Sequence, residues 1–226
     1  MKIVLSQRVI EEASYRERRD ALSHDWIIFL QKLGYIPVCC PNEIEDLESY
    51  LNAIEPQGII LTGGNTISPA LYGENSNIGD VFVCRDKTEI RLIDYAIEHH
   101  LPVLGVCRGA QMLQVYFGGI LSGVLDGDLE HVNSHHEIVV TEAKMAQRLL
   151  SNKFVVNSYH KQCIKKCDLA DHLIIFAVSE ADNIIEGFYH DHYSIIGVQW
   201  HPERNKPYHQ MDIDLVNRLF KKGEIL

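Results

Sequence analysis

The sequence predicts an α/β fold in which helices cover both faces of a mostly parallel central sheet. Short apolar runs of strand length, such as KIVLS at 2–6 and QGIILTGG at 57–64, alternate with segments of helical periodicity. Strands joined by helices run parallel and need cover on both faces, so this alternation favours an α/β sheet. The chain has 226 residues and no linker, repeat or low-complexity tract, so we expect one domain spanning 1–226.

The first half of the chain predicts strands and helices in alternation. Strands are expected at 2–6, 35–40, 57–64 and 102–106, and helices at 14–34, 43–54, 85–100 and 108–117. In the first helix, Ser14 and Glu17 match a capping box, and Gly34 can end the helix. Between the third strand and the third helix, residues 65–84 are rich in turn-forming residues and predict a long loop.

The second half predicts strands with few helices between them. These strands are expected at 135–142, 153–160, 172–180, 183–191 and 193–203, and a final helix at about 208–221. The strands could extend the sheet or form an antiparallel flap, and their sequences are compatible with both arrangements.

Composition and charge exclude several classes of function. The net charge is -10, which argues against tight nonspecific binding to nucleic acid or to anionic lipid. The N-terminal apolar run is too short for a signal peptide, and no run approaches the length of a membrane helix. We therefore expect a cytoplasmic protein without nucleic-acid or membrane partners, and a homodimer stays open.

Neither the cysteines nor the histidines predict a metal site. The six cysteines contain no C-x-x-C pair, which disfavours a zinc ribbon or a thioredoxin motif. His131, His135 and His136 suggest a metal cluster, but no spaced set of carboxylates or cysteines accompanies them. We expect these histidines to be ordinary polar residues at the edge of an active site.

Cys107 lies at the junction of an apolar run and a helical pattern, in LPVLGVCRGAQMLQVYFGG at 101–119. The order strand, Gly-x-Cys-x-Gly, helix is typical of a nucleophile elbow. Such a tight turn crowds its neighbours, so small residues are needed at Gly105 and Gly109. At a helix N-terminus the dipole and free N–H groups favour the reactive thiolate. A cysteine that only packs in a glycine-containing turn explains the pentapeptide equally well.

His201 is the best candidate for the base that a nucleophile needs. It lies in IIGVQWHPE near the end of the chain, two residues before Glu203. Alternate residues of extended backbone point the same way, so the carboxylate can orient the ring and stabilise its charged form. The alternative is a strand-end histidine beside a surface glutamate.

The segment LTGGNT at 61–66 predicts an oxyanion site. Acyl transfer creates an oxyanion that backbone N–H groups can hold, and a Gly-Gly turn at a strand end allows close backbone approach. Open α/β sheets bind ligands at that edge. We expect the N–H groups of Gly64 and Arg108 to be the donors, with an ordinary β-turn as the alternative.

Together, these motifs resemble the class I glutamine amidotransferases, and within them the stand-alone gamma-glutamyl hydrolases. The resemblance covers nearly the whole chain and rests on LTGGN, RDKTE, PVLGVCRGAQMLQVYFGG, VNSYHKQ and GVQWHPE. It implies a flavodoxin-like three-layer αβα fold. It also implies cleavage of a gamma-glutamyl amide through a glutamyl thioester, without a metal or organic cofactor.

Several site residues follow from the resemblance at matching positions. It implies Cys107 as the nucleophile, His201 as general base and acid, and Glu203 as the partner that orients His201. Gly64 and Arg108 match the oxyanion positions. The residues that match the substrate-binding segments are Gly63, Gln111, Ser158, Tyr159 and His160.

The N-terminal segment 6–34 and VNSYHKQ are similar to the gamma-glutamyl-CDP-amidate hydrolases, bacterial enzymes that release cytidine diphosphoramidate for surface-polysaccharide modification. This implies a small-molecule gamma-glutamyl substrate linked to a nucleotide. Arg8 and Arg16 are candidate phosphate contacts, since guanidinium groups bind phosphate through paired hydrogen bonds; a solvated charged face is an equal alternative. Asn65 stands where polyamine-pathway relatives often carry an acidic residue, which disfavours gamma-glutamyl-aminobutyrate.

Three alternatives to this function are compatible with parts of the sequence. The protein could be a glutaminase subunit that delivers ammonia to a separate synthase, or a hydrolase of another gamma-glutamyl amine. It could also be a non-catalytic module that uses Cys107 as a redox sensor. The presence of His201 and Glu203 argues against the sensor, because a sensor needs no oriented base.

Overall fold

The computed structural model describes residues 1–75, 80–123, 131–149 and 151–222. Along the chain the strands are β1 (Lys2–Ser6), β2 (Arg8–Glu12), β3 (Glu17–Ala21), β4 (Ile36–Cys40), β5 (Ile59–Leu61), β6 (Val103–Val106), β7 (Ser122–Gly123), β8 (Val132–Val140), β9 (Lys153–Tyr159), β10 (Gln162–Cys163), β11 (Leu173–Ser179), β12 (Ile185–His190) and β13 (Ile195–Val198). The helices are α1 (His24–Lys32), α2 (Leu47–Ile54), α3 (Val83–Glu98), α4 (Arg108–Tyr116), α5 (Ala143–Leu149) and α6 (Gln210–Lys222).

A nine-stranded sheet in the order β4-β1-β5-β6-β13-β12-β11-β8-β9 forms the centre of the described chain. The strands from β4 to β13 run parallel, and the pairings from β13 to β9 are antiparallel. The strands of the second half therefore extend the sheet, which decides between the two arrangements that the sequence left open.

Two apolar cores lie on opposite faces of the sheet. Successive strand residues alternate between them: Ile3 and Leu5 belong to one core and Val4 to the other. Residues of α1, α5 and α6 pack into the first core, and residues of α2, α3 and α4 into the second. The α/β fold with helices on both faces is confirmed.

The helix expected at 14–34 is wrong over its first half. Residues of that segment form β3, which pairs with β2 as an antiparallel hairpin, and α1 begins only after Ser23. Ser23 caps the helix, because its side chain accepts from the N–H of Asp25 at 3.2 Å. The capping box of Ser14 and Glu17 is therefore also wrong.

Two side-chain contacts stabilise the β2–β3 hairpin, one with Asn65 and one between its own strands. The Asn65 side chain accepts from the N–H of Val9 at 2.8 Å and donates to its carbonyl oxygen at 2.9 Å, as a neighbouring strand would. Arg18 pairs with Glu11 across the hairpin at 3.3 Å. A helix at 14–22 would bury little, since residues 14–20 are exposed.

The remaining differences from the expected elements are local. The sequence did not predict α5, which lies between β8 and β9 and buries Met145 and Leu149. Part of the loop expected at 65–84, residues 76–79, lies outside the described residues, and α3 begins two residues earlier than expected. Within the described chain, every helix is too short or too polar to cross a membrane.

The parallel strands bring four polar segments to one edge of the sheet. Gln7 and Arg8 follow β1, the Gly-Gly turn follows β5, Cys107 follows β6, and the chain reaches His201 after β13. The carboxyl ends of parallel strands lie at the same edge, where open α/β sheets bind ligands. The topology therefore gathers these segments into one site.

Candidate active site

Cys107 occupies a strained turn between β6 and α4. Its φ is 54° and its ψ is -108°, a conformation that residues other than glycine rarely adopt. A Cβ at Gly105 would lie 2.6 Å from the carbonyl oxygen of Gly109, and one at Gly109 would lie 2.0 Å from that of Leu61. Only glycine therefore fits on either side of Cys107.

His201 is held by Glu203. Its Nδ1 atom lies 2.7 Å from Oε1 of Glu203, and both side chains are buried. Burial by itself lowers the pKa of His201, but the charges of Glu203 and Cys107 outweigh it and raise the pKa to about 9. A protonated imidazole beside Cys107 stabilises the thiolate, the form in which a cysteine attacks a carbonyl.

The Gly-Gly turn after β5 packs against both of these side chains. A Cβ at Gly63 would lie 2.7 Å from Cε1 of His201 and 3.6 Å from Cβ of Cys107. Gly64 has a φ of +87° and lies against Arg8, whose Nε would be 3.3 Å from an added Cβ. The backbone of this turn can therefore approach a group bound at the sulfur.

A buried charge network lies behind the Gly-Gly turn and the elbow. Arg85 donates to the carbonyl oxygens of residues 62–64 and pairs with Glu89 at 3.0 Å. The guanidinium of Arg108 pairs with Glu89 and with Asp86. Because one network holds both segments whose N–H groups are the predicted oxyanion donors, it sets their relative position.

Asn157 in β9 holds the backbone of His201 on two sides. Its Oδ1 accepts from the N–H of His201 at 2.8 Å, and its Nδ2 donates to the carbonyl oxygen of His201 at 2.9 Å. The same amide donates to Oδ1 of Asn205 at 2.9 Å. Asn157 belongs to the VNSYHKQ motif, but nothing in the sequence indicated that it contacts His201.

Most residues singled out in the sequence line one cavity of about 510 Å³, a volume typical of small-molecule sites. They are Arg8, Gly64, Cys107, Arg108, Gln111, Tyr159 and His160. Gln111 Nε2 and His160 Nδ1 each lie 3.0 Å from the carbonyl oxygen of Gln162. The Tyr159 ring packs edge-on against the ring of His201, with centroids 5.5 Å apart.

A second cavity, of about 280 Å³, is lined by His201 and Glu203. Arg8 and Gly64 line both cavities, so the two spaces meet at the Gly-Gly turn. Gly63 and Arg204 line only the second cavity, which the β2–β3 hairpin borders. The site can therefore hold one group on each side of the Gly-Gly turn.

Two candidate residues do not line either cavity. Ser158 is buried, and its hydroxyl donates to the carbonyl oxygen of His131 at 2.9 Å. Arg16 lies in the exposed turn of the β2–β3 hairpin, with a φ of 54°. Its expected place in the first turns of a helix is wrong, because that helix begins further along the chain.

Other residues that line the larger cavity had not been assigned a role. Lys161 and Gln162 follow His160 in the VNSYHKQ motif, which is the signal that could have indicated them. Asp80 and Asn65 come from the loop after β5, and Asn65 Nδ2 donates to Oδ1 of Asp80 at 2.9 Å. Asn65 directly follows the Gly-Gly turn of the LTGGNT motif, whereas no local pattern places Asp80 at the site.

Comparisons with known proteins identify the family of the chain. A gamma-glutamyl-CDP-amidate hydrolase of Campylobacter jejuni is 32% identical over 216 residues, 94% of this chain and 95% of its own. The glutamine amidotransferase-like protein YvdE of Lactococcus lactis is 36% identical over 192 residues, 79% of this chain and 78% of its own. A solved glutamine amidotransferase of Thermotoga maritima, 19% identical, shares the fold with a TM-score of 0.62, over 98% of this chain and 85% of its own. The profile of the Peptidase C26 family matches residues 3–203, so the chain belongs to the Peptidase C26 family.

Proposed function

We propose that the protein hydrolyses a gamma-glutamyl amide, with Cys107 as nucleophile, His201 as general base and acid, and Glu203 as the partner that orients His201. The observation that carries this proposal is the buried pairing of His201 with Glu203 beside the strained turn of Cys107. A nucleophile next to a base that a third group orients is the arrangement of acyl-transfer enzymes. Membership in the Peptidase C26 family supports hydrolysis of this class of amide.

The proposed reaction has two steps. The Cys107 thiolate attacks the γ-carbonyl carbon, and the N–H groups of Gly64 and Arg108 stabilise the oxyanion. His201 gives its proton to the leaving nitrogen, the C–N bond breaks, and a glutamyl thioester remains on Cys107. Water then attacks the thioester while His201 takes a proton from it. The C–S bond breaks, which releases glutamate and restores the thiolate.

In this proposal the larger cavity holds the glutamyl group. Gln111, Tyr159 and Lys161 line it together with His160, and the side chains of the first three can form hydrogen bonds with a bound group. A free glutamyl end carries an α-amino group and an α-carboxylate, and both need polar partners once water is excluded. The composition of this wall supports a glutamyl group rather than an apolar acyl group.

The leaving amine of this proposal is a nucleotide amidate, as in gamma-glutamyl-CDP-amidate, and its product serves surface-polysaccharide modification. A relative named for hydrolysis of this compound is 32% identical and spans 94% of the chain. Arg8 and Arg204 line the second cavity together with His201, which must face the leaving nitrogen. Two guanidinium groups in that position suit phosphate oxygens, because they bind them through paired hydrogen bonds.

Glutamate release from gamma-glutamyl-CDP-amidate, glutamine and gamma-glutamyl-aminobutyrate, measured side by side, tests this proposal. We expect the highest kcat/KM for the nucleotide compound. Equal rates for all three would contradict a nucleotide-specific site. Release from glutamine alone, especially if a synthase partner increased it, would identify an ammonia-delivering subunit instead.

The pH dependence of turnover tests the role of Glu203. The pKa of His201 is raised to about 9, so the ring is protonated below that pH and loses its proton above it. We expect kcat/KM to fall as the pH rises through about 9, because an unprotonated ring cannot protonate the leaving nitrogen. Glu203→Gln removes one cause of the raised pKa, so it should move this decline to lower pH and slow turnover by about 10²–10⁴-fold. An unchanged profile in a folded Glu203→Gln protein would show that another group orients His201.

Substitution of Arg8 tests the phosphate contact. Arg8→Ala should raise KM about tenfold or more for gamma-glutamyl-CDP-amidate, because it removes charge-assisted hydrogen bonds to phosphate. Arg8 also lines the larger cavity, but in this proposal it contacts the phosphate and not the glutamyl group, so the KM for a small gamma-glutamyl amide should change little. Arg16→Ala is the matched control, since Arg16 is an exposed hairpin arginine that does not line either cavity. Equal effects of Arg8→Ala on both substrates would count against phosphate binding.

A further inference from the structure

A buried cluster of histidines surrounds Glu186 in the antiparallel half of the sheet. It consists of His131, His136, His160 and Glu186, which come from β8, β9, β12 and the residues next to these strands. His131 and Glu186 are fully buried, and His160 is 3% exposed. His135, which the sequence grouped with His131 and His136, is exposed and does not belong to the cluster.

Two of these histidines already use one ring nitrogen for another contact. His160 Nδ1 lies 3.0 Å from the carbonyl oxygen of Gln162, which can only accept, so this nitrogen carries the hydrogen. His131 Nε2 lies 2.8 Å from Oδ2 of Asp182, a carboxylate that accepts in the same way. When such a ring is neutral, its other nitrogen carries a lone pair that can bind a cation.

Those lone pairs face a carboxylate. His131 Nδ1 and His160 Nε2 each lie 3.4 Å from Oε1 of Glu186, and none of the three atoms has a hydrogen-bond partner among the described residues. Lone pairs of neutral rings directed at a buried carboxylate repel it, so either ring protons or a bound cation must balance its charge. Protonated rings would supply that charge, but a charge-assisted N–H···O bond is shorter, about 2.7–2.9 Å.

The spacing matches the ligands of a single metal ion. Two ligand atoms that each bind Zn²⁺ at about 2.0–2.1 Å with tetrahedral angles lie about 3.3 Å apart. The candidate ligand atoms of His131, His160 and Glu186 all lie within 4.8 Å of one another. The contacts of the opposite ring nitrogens with Asp182 and with a backbone carbonyl are those that orient metal-bound histidines.

We propose that His131 Nδ1, His160 Nε2 and Glu186 Oε1 bind a divalent metal ion of the zinc class. His136 Nε2 lies 3.3 Å from the same carboxylate oxygen, but His136 is not in the set whose ligand atoms all lie within 4.8 Å of one another, so the proposed ligands are three. Imidazole and carboxylate ligands suit Zn²⁺, whose double charge balances Glu186 and Asp182. The ion ties β9 to β12 and fixes His160 beside the Cys107 cavity, so its role is structural.

Zinc binding by Cys107→Ala protein tests the site, because this substitution prevents zinc from binding to the thiol. Protein treated with a chelator, titrated with Zn²⁺ and desalted should retain one ion per chain by elemental mass spectrometry, and its unfolding midpoint should rise. Asp182→Asn should weaken binding by about 10–100-fold, the effect of losing a carboxylate that orients a ligand. Glu186→Gln should abolish retention.

His172→Asn is the matched control, since the exposed group of His172, Asp191 and His192 is the other set of residues placed to bind a cation in the described chain. This control should leave zinc retention unchanged. The proposal is overturned if the Cys107→Ala protein retains no zinc, or if Asp182→Asn leaves affinity unchanged. It is equally overturned if His172→Asn abolishes retention. None of these readouts depends on hydrolysis, so they test the metal site independently of the proposed function. If Glu186→Gln does not fold, the zinc affinity of Asp182→Asn still tests the site.

Discussion

Cys107→Ala protein is expected to lose about 10⁴–10⁶-fold in glutamate release, the largest effect of any single substitution in the proposed site. Without the sulfur no thioester forms, and neither His201 nor the oxyanion donors can replace the missing bond. The strained backbone at this position, with a φ of 54°, agrees with the proposed role, because such strain is concentrated at functional sites. Rapid-quench mass spectrometry should detect the glutamyl adduct on the native protein and not on the variant.

Cys167→Ala is the control for this experiment, because Cys167 is an exposed thiol remote in sequence from the elbow. It should retain full activity. Normal glutamate release from Cys107→Ala would contradict the assignment of the nucleophile. Selective modification of Cys107 by peroxide, combined with unchanged hydrolysis in Cys107→Ala, would identify a redox sensor.

Arg85→Met is expected to produce the second-largest effect, on stability and activity together. Arg85 is fully buried, and burial lowers its pKa to about 10, so it remains charged at neutral pH. Its loss leaves the carbonyl oxygens of residues 62–64 without this donor and Glu89 without one of its two arginine partners. Breaking a buried ion pair in this way costs about 3–5 kcal/mol in unfolding free energy. A displaced Gly-Gly turn should also lower kcat by about 10²-fold.

Urea unfolding and steady-state kinetics measure these two effects. Arg91→Met is the matched control, because Arg91 is an exposed arginine of the same helix that donates to the carbonyl oxygens of Ile44 and Glu45. It should change the unfolding free energy by less than about 1 kcal/mol and leave kcat unchanged. If Arg85→Met unfolded at the same urea concentration as the native protein, the network would have no structural role. If it lost stability but kept kcat, the network would not position the oxyanion donors.

The sequence by itself determined the features that depend on neighbouring residues. The apolar runs of β1 and β6 and the helical periodicity of α3 and α4 predict these elements, because the period of burial is a local property. The elbow at Cys107 follows from glycines two residues away, and the pairing of Glu203 with His201 from a spacing of two. At each of these positions the interacting residues are close in the sequence, so the number of residues between them predicts their relative position in the structure.

The tertiary structure alone decided the contacts between distant segments. Asn157 holds His201 from 44 residues away, and Asn65 holds Val9 of the β2–β3 hairpin from 56 residues away. The histidine cluster around Glu186 likewise forms only because the sheet brings β8 and β9 near β12, from which β11 separates them. Spacing along the chain says nothing about distance between separate elements, because strand order, register and crossover direction set that distance.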